Sequence, residues 1–236
     1  MLEIKNYSKK YSGKTVVENL NLEVKSGEIF GFIGHNGAGK TTTIKSIVGI
    51  LDFEEGDILI DSLSIKKNPL ECKKNIAYIP DNPDIYENLK GIEYLNFIAD
   101  IFGISKENRQ KSINEYANKF EIESDLQSVI SSYSHGMKQK LVIISALIRK
   151  PKLLVLDEPF VGLDPKAAFT LKELMKNMTK EGTSIFFSSH VLEVVEKLCD
   201  RIGVIKQGKL VAFGTVDEVK GNETLEEVFL ELSEDE

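Results

Sequence analysis

The sequence predicts an α/β fold: a mostly parallel sheet, an antiparallel β part at the N-terminus, and a helical block inserted in the middle. Three observations predict it. Leu2–Tyr11 and Val16–Lys25 alternate apolar and polar residues, with Ser12-Gly13 and Ser26-Gly27 as turn signals, the pattern of half-buried antiparallel strands. Leu153–Leu156 is a short, continuously apolar run and Ser184–Ser188 repeats the pattern, as in strands covered on both faces. A helix over Pro165–Thr179, with Pro at a tolerated first position, joins these two runs, so they form a crossover between parallel neighbours. Third, residues 88–120 change texture, becoming rich in Glu, Asn, Lys and aromatics at helical spacing.

The remaining elements follow in order. A strand runs over Glu28–Ile33, then a glycine loop, then an amphipathic helix over Thr41–Ile50. Asn75–Ile79 is a further strand. The helical stretch Asn88–Phe120 breaks near Gly103-Ile104-Ser105. Met137, Leu141, Ile144 and Ile148 then recur at helical spacing, and that helix stops before Pro151. Arg201–Phe213 is a hairpin turning at Gln207-Gly208, and the acidic tail Leu232–Glu236 is expected to fray. The chain therefore divides into a core with its β part, residues 1–87 and 151–236, and a helical part, residues 88–150, within one domain of 236 residues.

Composition narrows the function classes. Hydrophobic residues make up 42% of the chain, enough for a packed core, which excludes general disorder. The longest nearly unbroken apolar run, Leu141–Ile148, is far short of the ~20 residues that cross a bilayer. Met1–Lys10 lacks the apolar centre of a signal peptide, so the chain is expected to stay inside the cell. Cys72 and Cys199 stand in no C-x-x-C or Cys/His pattern, against a disulfide framework or a zinc site. With 30 Lys and Arg against 37 Asp and Glu, the net charge is −7, which disfavours nucleic acid as a partner.

Gly34-His35-Asn36-Gly37-Ala38-Gly39-Lys40-Thr41 fits G-x-x-x-x-G-K-[ST] between a strand and a helix, the context a phosphate-binding P-loop requires. The glycines let backbone N–H groups converge on phosphates, and the helix start adds its positive dipole end. Asn36, Gly37, Ala38, Gly39, Lys40, Thr41 and Thr42 are the candidate nucleotide contacts. Lys40 supplies charge to the β/γ-phosphates, and Thr41 a hydroxyl for Mg²⁺. Leu153–Leu156 ends in Asp157-Glu158, which places two carboxylates at the carboxyl edge of the sheet, where ligands of open α/β sheets bind. Adjacent acids there repel unless a cation or a reacting water uses them. Asp157 is the candidate to orient Mg²⁺ through water, and Glu158 to polarise the attacking water.

Between these motifs stands Tyr133-Ser134-His135-Gly136-Met137, and after them Gly162-Leu163-Asp164-Pro165 and Ser188-Ser189-His190. This ordered set, from Tyr11 to about Gly214, resembles the nucleotide-binding subunit of an ATP-binding cassette (ABC) transporter, and within that family the exporter-type subunits that pair with separate membrane proteins. The resemblance implies a P-loop NTPase core, ATP as the nucleotide with Mg²⁺, and ATP hydrolysis coupled to transport. It implies that adenine stacks on Tyr11, although a Tyr packed at a strand end reads the same way. Ser134, His135, Gly136 and Met137 match the signature that completes the ATP site of the opposite subunit, so a head-to-tail homodimer or heterodimer is implied. His190 matches the switch histidine beside the γ-phosphate; Asp164 matches a residue that communicates across the dimer, and equally fits an N-cap for the helix at Pro165. His35 and His135 read as exposed loop histidines. The implied membrane partner is an integral transporter subunit, which would hold this chain peripherally at the cytoplasmic face of the cell membrane. The segment 81–86 and the helical block would receive it.

The chain departs from the family pattern at Asp81, where a Gln is usual. Asp is shorter, carries charge and cannot donate a hydrogen bond, so turnover is expected to be retained but retuned, with Asp81 still able to bind the cation's water. The Y-S-x-G-M signature and the short C-terminus favour export over import. A soluble ABC protein acting on ribosomes or DNA would need a second cassette or long coiled coils, and a small-molecule kinase would lack the signature. The transported substrate is not encoded in this chain.

Overall fold

The computed structural model describes residues 1–234, and of these the side chains of residues 1–231. Strands β1 (Leu2–Tyr11) and β2 (Lys14–Val24) pair antiparallel, as their alternation predicts. Strand β3 (Ile29–Ile33) feeds the glycine loop, and helix α1 spans Lys40–Ile47. It is shorter than the expected Thr41–Ile50, because Val48 caps it and Gly49 leaves the helix at φ 67°. Next come β4 (Glu55–Ile60), β5 (Leu63–Ser64), α2 (Pro69–Asn75) and β6 (Ile76–Ile79). The strand expected from Asn75 thus begins one residue later, after a helix that its length of seven residues hid from periodicity.

Three α-helices, α3 (Gly91–Ile101), α4 (Lys106–Lys119) and α5 (His135–Leu147), and two 3-10 turns at Glu123–Asp125 and Ile130–Ser132 fill the insertion. The anticipated break between the first two is real, with Gly103 at φ 64° and Ser105 capping α4 by accepting from the Asn108 N–H. Strand β7 (Leu153–Asp157), α6 (Pro165–Lys180) and β8 (Ser184–Ser189) form the predicted parallel unit. The chain continues through α7 (Leu192–Leu198), β9 (Arg201–Lys206), β10 (Lys209–Thr215), α8 (Val216–Lys220) and α9 (Leu225–Glu234). Of the tail expected to fray, the backbone of Leu232–Glu234 continues α9, while its side chains, Asp235 and Glu236 lie outside the described residues.

Two sheets result. The first is antiparallel with order β2-β1-β4-β5; the second has order β10-β9-β3-β8-β7-β6, parallel except for the β9–β10 hairpin. At the centre of the second sheet β3, β7 and β8 are covered on both faces, which is why β7 and β8 read as nearly continuous apolar runs, while the edge strand β10 is largely exposed. Successive residues go to opposite cores. Leu154 and Leu156 pack with Ile143 and Phe187 under the helical block, while Leu153 and Val155 pack with Ile44, Phe32 and the antiparallel sheet. Helix α1 is thereby wedged between the two sheets, and the C-terminal ends of β3, β7 and β8 open onto its N-terminus.

Candidate functional site

A cleft of about 460 Å³ opens at that point, lined by Tyr11, Val16, Asn36, Gly37, Gly39, Lys40, Thr41, Thr42, Asp81, Asp157 and Glu158. Every predicted nucleotide contact except Ala38, which is buried behind the loop, faces it. The loop owes its shape to Gly39, which sits at φ 110°, where a side chain would also meet Val17 and the Val16 carbonyl at 3.0 and 3.1 Å. Lys40, only 6% exposed, turns its ammonium onto the carbonyls of Gly34 (2.6 Å) and His35 (3.2 Å). Burial lowers its pKa, against the opposing pull of Glu158 and Asp157.

The two carboxylates behave differently. Asp157 is buried; its Oδ1 accepts from the Ser188 hydroxyl at 2.5 Å and it is also hydrogen-bonded to Thr41, yet Oδ2 has no partner among the described residues. Burial pushes its carboxyl pKa up, the bonds from Ser188 and Thr41 pull it back, and the charges of Asp81 and Glu158 add to the rise. A buried carboxylate oxygen without a donor, beside a threonine hydroxyl, is a hard-oxygen donor set of the kind a hydrated divalent cation takes. The residues present therefore fit Mg²⁺.

Glu158 stands at φ 48°, a strained conformation for a non-glycine residue of the kind found at functional sites. Its N–H donates to Ser188 Oγ (3.1 Å), and its Oε2 lies 2.9 Å from His190 Nδ1 and accepts from the His190 N–H at 3.4 Å. Its Oε1 is buried without a hydrogen-bond partner among the described residues. Ser188, Glu158 and His190 are thus one hydrogen-bonded unit at the ends of β7 and β8. Sequence reasoning gave Ser188 no role. The available signal was a hydroxyl on a strand with both faces buried, which must find a partner.

Tyr11 is 44% exposed with Lys9 Nζ 5.5 Å from its ring centroid, so its ring is an open platform on the cleft and not a packed strand end. Asp81 is exposed on the same cleft, and its Oδ1 accepts from the Asn82 N–H at 2.8 Å.

The signature lies elsewhere. Ser134 caps α5 by accepting from the Met137 N–H (3.3 Å), and Ser134 and His135 are exposed, away from the cleft. A side chain on Gly162 would meet His135 Cδ2 at 2.6 Å, so this imidazole lies against the loop before α6. Asp164 caps α6 through the Ala167 N–H (2.8 Å) and pairs with Lys140 at 2.7 Å, which holds its carboxyl below the usual range. The N-cap reading of Asp164 therefore holds. His35 is exposed, as expected, but its ring packs on Phe229 of α9 at 4.5 Å between centroids.

A family described as "ABC transporter" matches residues 17–161. The chain is 34% identical to the ABC-type transporter ATP-binding protein EcsA of Bacillus subtilis, over 100% of this chain and 97% of that one. It is 35% identical to the lipopolysaccharide export system ATP-binding protein LptB of Escherichia coli, over 97% and 96%. A solved structure described as the ATP binding subunit of an ABC transporter superposes with a TM-score of 0.96 at 35% identity, over 99% of this chain and 100% of that one. With the P-loop and the paired carboxylates in one cleft and His190 against Glu158, the chain belongs to the ABC transporter family, as one of its ATP-binding, ATP-hydrolysing subunits.

Proposed function

We propose that this subunit powers export of a substrate through a separate membrane-spanning partner, working as a head-to-tail dimer at the cytoplasmic face of the membrane. Adenine stacks on Tyr11, and the backbone of Asn36–Thr42 with the Lys40 ammonium holds the phosphates. On phosphate binding, Lys40 exchanges the carbonyls of Gly34 and His35 for the β/γ-phosphate oxygens. Thr41 and Asp157 would hold Mg²⁺, with Asp81 on its water shell; the cation neutralises phosphate charge.

Glu158 orients the attacking water through its unpartnered Oε1, while His190 fixes the other oxygen so that the free one stays aimed. This is the observation that carries the reading: a carboxylate with one oxygen held by His190 and the other buried without a hydrogen-bond partner among the described residues, in a cleft walled by the P-loop. Ser134, His135, Gly136 and Met137 supply a second helix N-terminus to the ATP of the opposite subunit, with Asp164 beside them at the interface. A partner subunit with the same residues gives two active sites, and a different one gives an asymmetric pair. Residues 88–150 then act as the helical part that transmits dimer closure to the membrane partner, and residues 81–86 as the link from cleft to partner.

Export is supported by the Y-S-x-G-M signature and by the likeness to LptB, whose name places it in an export system. The test is Glu158→Gln. Turnover should fall about 100-fold or more, the usual contribution of a positioned base, while an ATP-bound dimer accumulates in size-exclusion chromatography. Hydrolysis at the wild-type rate would remove Glu158 from the reaction.

A further inference from the structure

We propose that Gln139 is a positioning residue for Glu158: when ATP closes the dimer, its buried side-chain amide donates to the Gly162 carbonyl and fixes the loop through which the chain leaves β7. The proposal rests on the dimer reading above and deepens it by naming the side chain through which the α5 helix holds the Glu158 of its own chain.

Gln139 stands in the second turn of α5, two residues beyond the signature. It is 0% exposed, and neither Oε1 nor Nε2 has a hydrogen-bond partner among the described residues. The other side chains with an orphaned buried atom are anchored through a different one: Arg109 on Asp100, Arg149 on the Ile76 carbonyl, Asp157 on Ser188 and Glu158 on His190. Gln139 alone among them has every polar side-chain atom buried and unpaired. An amide in that state has given up hydration for nothing in return, so the resting fold carries it at a cost.

The helix shows where this amide lies. Residues three and four apart share a helix face, so Gln139 is flanked by His135 and Gly136 in the turn before it and by Ile143 in the turn after it. Ile143 packs with Leu154 and Leu156 of β7, while a side chain on Gly136 would meet the Gly162 carbonyl at 2.8 Å. A helical side chain leans toward the helix N-terminus. Gln139 therefore runs from above the end of β7 toward Gly162, along the loop that begins at Glu158.

That loop is tied at its ends. The Glu158 N–H donates to Ser188, and Asp164 pairs with Lys140 and accepts from the Ala167 N–H. Its middle is closed by a single turn bond, from the Val161 N–H to the Glu158 carbonyl at 3.2 Å, and the Gly162 carbonyl accepts from no described residue. Glu158 at φ 48° holds its direction only as far as the chain beyond it is held. A free amide donor thus lies one helical turn from a free acceptor, on the loop that aims the carboxylate. A bond made only in the closed state favours that state over the resting one.

The test is Gln139→Met in the full chain, which keeps the length and unbranched shape and removes both amide atoms. The nucleotide-free protein should melt about 2–4 °C higher, because the orphaned atoms are gone. Its kcat should nevertheless fall about tenfold, the loss of one hydrogen bond made in the transition state, with KM for ATP within about twofold of wild type. In the ATP-bound dimer of Glu158→Gln, the backbone amides of residues 160–163 should exchange with solvent faster once Gln139→Met is added. A lower melting temperature would show that the amide is already bonded in the resting protein and overturns the proposal. If Gln139→Met does not fold, Gln139→Leu decides by the same measurements, and failure of both counts as that lower stability. An unchanged kcat, or a loss carried by KM, also overturns it. Full turnover in Gln139→Met beside an inactive Glu158→Gln removes Gln139 and leaves the catalytic reading standing, whereas turnover that survives Glu158→Gln overturns both.

Discussion

The nucleotide cleft and the Ser134 end of this subunit are built on opposite terms. In the cleft, three charged side chains are largely buried and incompletely paired: Lys40 rests on carbonyls, and Asp157 and Glu158 each keep one buried oxygen without a donor among the described residues. At the signature, two exposed polar groups are satisfied, with Ser134 spent on its own helix cap and Asp164 both capping α6 and pairing with Lys140. The first end is preorganised for charge that arrives with a ligand. The second is stable as it stands and offers a helix N-terminus to something outside the chain.

This contrast predicts that the two ends can be broken separately. Ser134→Arg leaves the cleft intact and places a long cation where the opposite subunit's phosphates would dock. Steady-state turnover should fall to background, while nucleotide binding to the monomer, read by fluorescent ATP-analogue titration, stays within about twofold of wild type, since no cleft group is touched. Equal loss of both would mean that the signature end contributes to the same chain's cleft.

A smaller effect, a gain in stability, is expected inside the cleft. Asp157 carries an elevated pKa, so its ionised form costs folding energy at neutral pH. Asp157→Asn should abolish turnover and yet raise the stability of the ligand-free protein by about 1 kcal/mol, read as a higher melting temperature. The sign follows from linkage: a carboxyl whose folded pKa lies above its unfolded value loses stability as pH rises from the unfolded to the folded value. The gap between variant and wild type should therefore close as pH is lowered until Asp157 is protonated in both states. A gap that persists in acid would assign the effect to packing.

The same contrast separates what could be read in the sequence from what could not. The cleft was legible because its chemistry is local: the P-loop glycines, the strand ending in Asp157-Glu158 and the strand ending at His190 each announce their position by pattern. Long-period elements were legible for the same reason, as in α6 and the paired runs of β7 and β8. Short elements were not. Helices α2 and α7, of seven residues each, and strands β4 and β5 hold too few turns or repeats for a period to emerge from Leu51–Lys74 and Val191–Asp200. Contacts between distant segments were also invisible. Nothing in the spacing tells that Ser188 hydroxyl bonds Asp157, that Lys140 pairs with Asp164, or that α9 brings Phe229 onto His35.

The finest test of the comparison lies at Asp81, which is exposed where the other two carboxylates lining the cleft, Asp157 and Glu158, are not. Its charge adds to the elevation of the Asp157 pKa, so removing it should ease that carboxyl downward. Asp81→Gln also lengthens the side chain by a methylene and adds a donor, at the loss of the charge but not of the ability to accept from the Asn82 N–H. Exposed charge pairs are worth ~0.2–1 kcal/mol, so the rate should change only a few-fold. The sharper readout is the pH profile. If deprotonated Asp157 is needed to hold the cation, the acid limb of ATPase activity should move to lower pH in Asp81→Gln, and less Mg²⁺ should suffice for half-maximal rate at pH 6. An unchanged rate, acid limb and Mg²⁺ dependence would make Asp81 a spectator, and the exposed edge of the cleft would then join the signature end as surface already satisfied within the chain.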